Sequence, residues 1–84
     1  MNINDVVIYT DEVRNDHQAL VTAVWGPDCI NVVFCSPDQA KTDSYGRQIE
    51  RATSVARYTE TNNYGRCFRP VGTEATFVHH PAAK

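Results

Sequence analysis

The sequence contains little of what membrane-spanning proteins and most enzymes need. No apolar run approaches the ~20 residues of a membrane helix, and the N-terminus has no basic stretch followed by an apolar one, as a secretory signal would. The four glycines are isolated from one another, which excludes a glycine-rich loop that cradles phosphate. Cysteine is scarce, and no Cys-x-x-Cys pair occurs. We therefore expect synthesis in the cytoplasm, no membrane association and no bound cofactor.

The three cysteines are Cys29, Cys35 and Cys67, an odd number that cannot all be joined within one chain. If Cys29 and Cys35 share one strand, six residues at ~3.3 Å each separate them by about 20 Å. That distance is beyond the reach of a disulfide or a shared metal ion. Any internal disulfide must therefore use Cys67. Three thiols in a reducing compartment are the simpler interpretation.

Neither the histidines nor the carboxylates form a recognisable catalytic set. His79 and His80 are neighbours on a predicted tail, where adjacent side chains point apart. The pair Asp11-Glu12 falls in a solvated loop. Cys67, flanked by Arg66 and Phe68, is the one cysteine whose surroundings could lower the thiol pKa, and a structural or incidental use is the simpler interpretation. We predict no metal site and no enzymatic activity.

Dense β-branched and aromatic residues, broken by short polar turns, indicate an all-β chain. Strands are predicted over residues 5–9, 17–25, 29–35, 47–54, 65–70 and 73–78. The turn 26–28 joins the second and third strands as a hairpin, while 10–16 and 36–46 are loops. We expect a small SH3-like β-barrel of five or six short antiparallel strands over residues 1–78, followed by a loose tail at 79–84. An OB-fold is the alternative, although it usually needs a longer chain and a helix.

The second and third strands carry apolar residues on both faces, as expected for strands that curl through a small barrel. Ala19, Val21, Ala23 and Trp25 share one face of the second strand. In the simpler interpretation Trp25, Phe68 and one tyrosine fill the interior. In the alternative, Trp25 belongs to a contact surface.

Charge is unevenly distributed along the chain. Residues 1–40 contain six acidic side chains and a single basic one, whereas residues 41–69 contain six basic and three acidic ones. This second half also carries most of the tyrosines, and Arg and Tyr are enriched at protein interfaces. A solvated face of mixed charge is the simpler interpretation. The partner-binding residues that we predict are Arg47, Arg51, Tyr58, Tyr64, Arg66, Phe68 and Arg69.

The same arginines and aromatics could stack bases and neutralise phosphates. The net charge of -2 argues against this, because nucleic-acid binding depends on an excess of positive charge. A protein partner is therefore the favoured expectation. Because Arg47 and Arg51 lie four residues apart, both would point to one side of a shared strand.

Several segments resemble small SH3-like proteins of tailed bacteriophages, namely residues 5–9, 17–25 and 30–33. Thr53-Ser54-Val55 followed by Tyr58 matches that family's Thr-Ser-Val-aromatic marker. Residues 65–70 keep the glycine and proline of its closing Gly-x-Trp-x-Trp-Pro motif, with Cys67 and Arg69 in place of the tryptophans. The resemblance implies a phage origin and an SH3-like fold, and it brings no established catalytic residues.

Together these observations lead us to expect a non-enzymatic phage accessory module. It would be a structural protein of the virion that decorates or cements the capsid or associates with the neck, with association between copies also compatible. The alternative is an early phage protein that binds a host or immune complex, or nucleic acid, through the arginine- and tyrosine-rich face. Synthesis in the host cytoplasm is common to both.

Overall fold

The computed structural model describes residues 1–59 and 66–72, and these residues form strands and no helix. It follows that the described residues contain no helix able to span a membrane. The predicted all-β class is confirmed. The predicted strand at 73–78 and the tail at 79–84 lie outside the described residues. The strands are β1 (Val6–Thr10), β2 (Asp16–Gly26), β3 (Cys29–Cys35), β4 (Thr42–Asp43), β5 (Gly46–Arg47), β6 (Ile49–Ala56) and β7 (Cys67–Pro70).

Five of these strands form one antiparallel sheet in the order β6-β3-β2-β1-β7, and β4 and β5 form a separate hairpin. The chain just after β6 returns to the other edge strand. Arg57 makes a parallel bridge to Phe68, and the Tyr58 N–H donates to the Phe68 carbonyl at 2.8 Å. Because the two edges of the sheet meet there, the sheet curls into a small barrel-like fold, as predicted.

The interior of this barrel is filled by alternate residues of the main strands. Phe68 of β7 is the largest fully buried side chain, and Phe34 packs against the same cluster. Burying each large apolar side chain contributes roughly 1.5–3 kcal/mol. The other members of the cluster are Val7, Tyr9, Ala19, Val21, Ile30, Val32, Ala52 and Val55.

Irregularities in the pairing of β2 and β3 redirect the end of the hairpin. The register shifts between Val21 and Ala23 and again between Val24 and Gly26. A shift of one residue exchanges the two faces of a strand, so Trp25 does not follow Val21 into the core. The residue is 66% exposed. The interpretation that Trp25 fills the barrel is therefore wrong.

The segment 36–46, predicted to be a loop, contains β4 and the first residue of β5, which pair as a small hairpin with Gly46 at a φ of 107°. Arg47 ends β5, whereas Arg51 belongs to β6, and Gln48 separates the two strands. The prediction that both arginines point to one side of a shared strand is therefore wrong. A strand was expected over 47–54, and the one observed covers Ile49–Ala56.

Candidate protein-binding cleft

A cleft of about 310 Å³ opens between the β1–β2 loop and the chain that follows β3. Residues Asp11 to Val13 line it from the first loop and Pro37 from the second. The remaining lining residues come from strands and from the segment before β7, and they are Tyr9, Phe34, Glu50, Arg51, Ala52 and Arg66. Two of the predicted binding residues, Arg51 and Arg66, are thus brought together.

Stacked aromatic rings support this cleft from below. Tyr9 and His17 are cross-strand partners in the β1–β2 register, with ring centroids 5.9 Å apart. Phe34 lies 5.0 Å from Tyr9 and 4.7 Å from His17 by the same measure. Such pairs contribute about 0.5–1.5 kcal/mol each beyond their burial. The aromatic surface is therefore firmly packed.

The β1–β2 loop, which forms one wall, is held by Asp11. Its Oδ1 accepts hydrogen bonds from the backbone N–H groups of Val13 and Asn15 at 3.0 and 2.9 Å, and its Oδ2 lies 2.8 Å from His17 Nε2. Burial opposes ionisation of Asp11, but these hydrogen bonds outweigh it and hold its pKa below the ordinary value. The loop is thus fixed by a carboxylate that is ionised at neutral pH.

The charged groups of the cleft differ in how well they are paired. Glu50 lies 3.8 Å from the Lys41 ammonium, and Arg66 donates to the Thr53 carbonyl at 2.8 Å. Arg51 is exposed and makes no hydrogen bond or ion pair with any described residue. Burial raises the pKa of Tyr9, and the neighbouring Arg66 guanidinium opposes that shift without cancelling it. Of the two arginines in the cleft, Arg51 is therefore the one better placed to bind a ligand.

Other predicted binding residues lie elsewhere. Arg47 is exposed and donates to the Ser36 carbonyl at 2.8 Å, outside the cleft lining. Tyr58 is half-buried where the barrel closes. Phe68 has no exposed surface, so its predicted place on the contact face is wrong. Tyr64 lies outside the described residues.

Arg69 belongs to a hydrogen-bonded network that joins three strands. Its Nη2 lies 2.9 Å from Asp16 Oδ2 and its Nη1 donates to Thr10 Oγ1 at 3.1 Å, while the Thr10 hydroxyl donates to Asp16 Oδ1 at 2.7 Å. The side chain is only 12% exposed. This contradicts the prediction of Arg69 as part of an open contact face, because its donors serve β1, β2 and β7 instead.

The surroundings of Cys67 also differ from the prediction. The side chain is fully buried, and burial raises the pKa of its thiol instead of lowering it. Cys29, Cys35 and Cys67 are all free thiols. Among the residues that the structure describes, no three His, Cys, Asp or Glu side chains cluster closely enough to hold a metal ion.

Sequence reasoning did not include Tyr9, Phe34 or the Asp11–Val13 wall in the site. Their positions in the sequence could have indicated the site, since Tyr9 and Phe34 each lie near the end of a strand that leads into a long polar loop. Comparison with protein-family models, with curated proteins and with solved structures finds no match for this chain.

Proposed function

We propose that this chain is a non-enzymatic protein-binding module whose cleft receives a short segment of a partner protein. The observation that carries the proposal is that one cleft combines a cationic side chain with an aromatic ring. An exposed Arg51 without a described partner adjoins the half-buried ring of Phe34, which packs on the buried Tyr9. An arginine in such a setting can bind a carboxylate through two parallel hydrogen bonds.

The size and lining of the cleft suit a few side chains of a peptide. A volume of about 310 Å³ lies at the lower end of the range for ligand pockets. Phe34, Pro37 and Val13 offer apolar contact area, and the two arginines offer charge. The segment that fits best therefore combines an acidic residue with an apolar or aromatic neighbour.

The acidic residues in the same cleft favour protein over nucleic acid. Asp11, Glu12 and Glu50 line it together with the two arginines. A phosphate backbone entering there would meet these carboxylates, whereas a peptide can place one charged group against Arg51 and leave the rest of its length neutral.

The biological setting that we propose is the virion of a tailed phage, with capsid or neck proteins as partners. Support comes from the sequence resemblance and from the small size of the contact. A module that decorates an ordered lattice needs little affinity at each site, because many copies bind together. An early phage protein that binds a host complex would use the same cleft, and the location of the protein separates the two roles.

Mass spectrometry of purified particles tests whether the protein is part of the virion. We expect the protein in particles at a copy number that matches a capsid or tail symmetry. Its presence in infected cells combined with its absence from particles would contradict the virion role and favour the host-directed one.

Substitution of Arg51 tests the cleft itself. We expect Arg51→Ala to weaken partner binding by about 1–2 kcal/mol, the range of interface arginines, with an unchanged melting temperature. Arg47→Ala is the control for general charge, because Arg47 is an exposed arginine outside the cleft lining. Its melting temperature is measured as well, since this variant also loses the hydrogen bond to the Ser36 carbonyl. Equal losses for both variants would show that binding follows general charge and not this cleft.

A further inference from the structure

The tip of the β2–β3 hairpin exposes the only tryptophan of the chain. Trp25 is 66% exposed and is followed by the turn residues Gly26, Pro27 and Asp28. Few side chains gain as much from burial as an indole does. An indole left largely in water contributes little to the fold of the single molecule, and Trp and Tyr are the residues that most often anchor protein contacts.

The exposed ring is held in one orientation. Trp25 Nε1 donates to Asn31 Oδ1 at 2.9 Å, and the same oxygen accepts the Ser54 N–H at 2.9 Å. Ser54 has a φ of 52°, next to the irregular pairing of β3 with β6. The Asn31 side chain therefore satisfies a strained backbone group and fixes the indole at once. A group ordered before binding loses less entropy on binding.

The turn beside the indole is fixed as well. Arg57 donates to the Pro27 carbonyl from Nη2 at 2.9 Å and from Nε at 3.2 Å, and Nε lies 3.1 Å from Asp28 Oδ1. The Asp28 side chain is nevertheless 74% exposed. The hairpin tip, defined as Trp25 to Asp28, thus presents an aromatic ring, a proline and a carboxylate on one rigid turn.

The residues that line the cleft can contact an aromatic ring and a carboxylate. An indole packs favourably on an aromatic ring and on a guanidinium, and Phe34 and Arg51 supply both. Arg51 makes no hydrogen bond or ion pair with a described residue, so its donors can bind a carboxylate. Of the three acidic residues in the cleft lining, two already have partners among the described residues and only Glu12 does not. Asp11 is hydrogen-bonded to His17, and Glu50 lies beside Lys41.

We propose that the hairpin tip of one copy of this chain docks in the cleft of a second copy. The contact is between molecules because Trp25 does not line the cleft of its own chain and is largely exposed. The inference rests on the cleft named under the proposed function and adds a partner to it. In such a contact the copy that supplies the tip keeps a free cleft, and the copy that supplies the cleft keeps a free tip. Further copies can therefore add at both ends, which gives closed rings or open chains.

Complementation between two variants tests this head-to-tail contact. Trp25→Ala removes the tip anchor, and Arg51→Glu reverses the charge of the cleft without removing any described bond. We expect wild-type protein to associate with rising concentration in sedimentation velocity, with a blue shift of tryptophan emission. Each variant alone should associate at least tenfold more weakly. Their equimolar mixture should form dimers that grow no further, because only one intact tip can meet one intact cleft.

Tryptophan fluorescence follows association in the mixture directly, since only the Arg51→Glu chain still contains a tryptophan. Its emission should shift to the blue when the Trp25→Ala chain is added. Tyr45→Ala is the control, because it removes a 98% exposed aromatic outside both surfaces and should leave association unchanged.

Two results would overturn the proposal. One is a wild-type protein that remains monomeric with unchanged emission up to about 1 mM, the concentration that corresponds to a standard binding free energy near -4 kcal/mol. The other is association that the mixed variants fail to restore. Loss of self-association in Trp25→Ala with retained binding of a separate partner protein leaves the proposed function standing. If a cleft variant instead loses binding of the separate partner but still self-associates, the head-to-tail contact does not use the cleft and this proposal fails, while the proposed function stands.

Discussion

Replacement of Arg69 by alanine should destabilise the barrel substantially, although arginine is ordinarily a surface residue. The guanidinium joins β7 to the β1–β2 pair through Asp16 and Thr10, at 2.9 and 3.1 Å. Its removal leaves the fully buried Thr10 hydroxyl and one Asp16 oxygen without that donor. The edge strand β7 also loses a side-chain link to its neighbours.

The magnitude follows from the partners and their exposure. Hydrogen bonds to charged groups contribute about 1.5–3 kcal/mol. Asp16 is 48% exposed, so solvent screens part of the pair and the lower half of that range applies. We expect the free energy of unfolding to fall by about 1.5–2 kcal/mol. For a domain of this size that lowers the melting temperature by about 6–16 °C.

Chemical denaturation and thermal melting at neutral pH measure the effect, with Arg51→Ala as the control. That exposed arginine makes no described bond, so its loss should change stability by less than about 0.5 kcal/mol. If Arg69→Ala lowered the free energy of unfolding by no more than Arg51→Ala does, the Thr10–Asp16–Arg69 network would have no structural role. The inference that Arg69 is removed from the binding face would then fail.

The same variant should change the response to acid. The hydrogen bond from Arg69 is the largest cause that lowers the pKa of Asp16 below its ordinary value of 3.8. A carboxyl group with a lowered folded-state pKa stabilises the fold above its unfolded-state pKa and loses that contribution as pH falls through the folded-state value. The wild type should therefore lose stability below about pH 4, and Arg69→Ala should lose less over that interval.

Three further expectations test the packing and the hairpin tip. Phe68→Ala should lower the free energy of unfolding by about 3–5 kcal/mol, a large part of the stability of so short a chain. A small shift of the urea denaturation midpoint would contradict the central place of Phe68 in the closed barrel. Cys35, which is exposed, should react with a thiol reagent in the native state, whereas the buried Cys67 should react only on unfolding. Equal labelling rates by mass spectrometry would refute that burial. Asn31→Ala should lower the fluorescence anisotropy of Trp25, and the loss of two hydrogen bonds should lower the free energy of unfolding by about 1–2 kcal/mol. An unchanged anisotropy would show that Asn31 does not hold the ring.

Local patterns in the sequence predict the strands well and the site only partly. The run from Cys29 to Cys35 is both the predicted and the observed strand, since β-branched residues and a clear turn define it. The exposure of Trp25 could not be predicted, because it depends on register shifts between two strands that no single-strand periodicity reveals. Arg69 looked like a contact residue because its partners, Thr10 and Asp16, are more than fifty positions away in sequence.

The proposed cleft is tested most directly by photocrosslinking from its rim. Val13 lines the cleft and is 71% exposed, so a photoreactive residue there can be introduced without disturbing the core. Tyr45, at 98% exposure outside the cleft, is the matched control position. In the proposed phage setting, with purified particles or infected-cell extract, we expect position 13 to crosslink to one short segment of one protein. That segment should contain an acidic residue beside an apolar one, and position 45 should give no such product. Equal crosslinking from both positions, or a product from position 45 alone, would contradict the assignment of the cleft as the binding site.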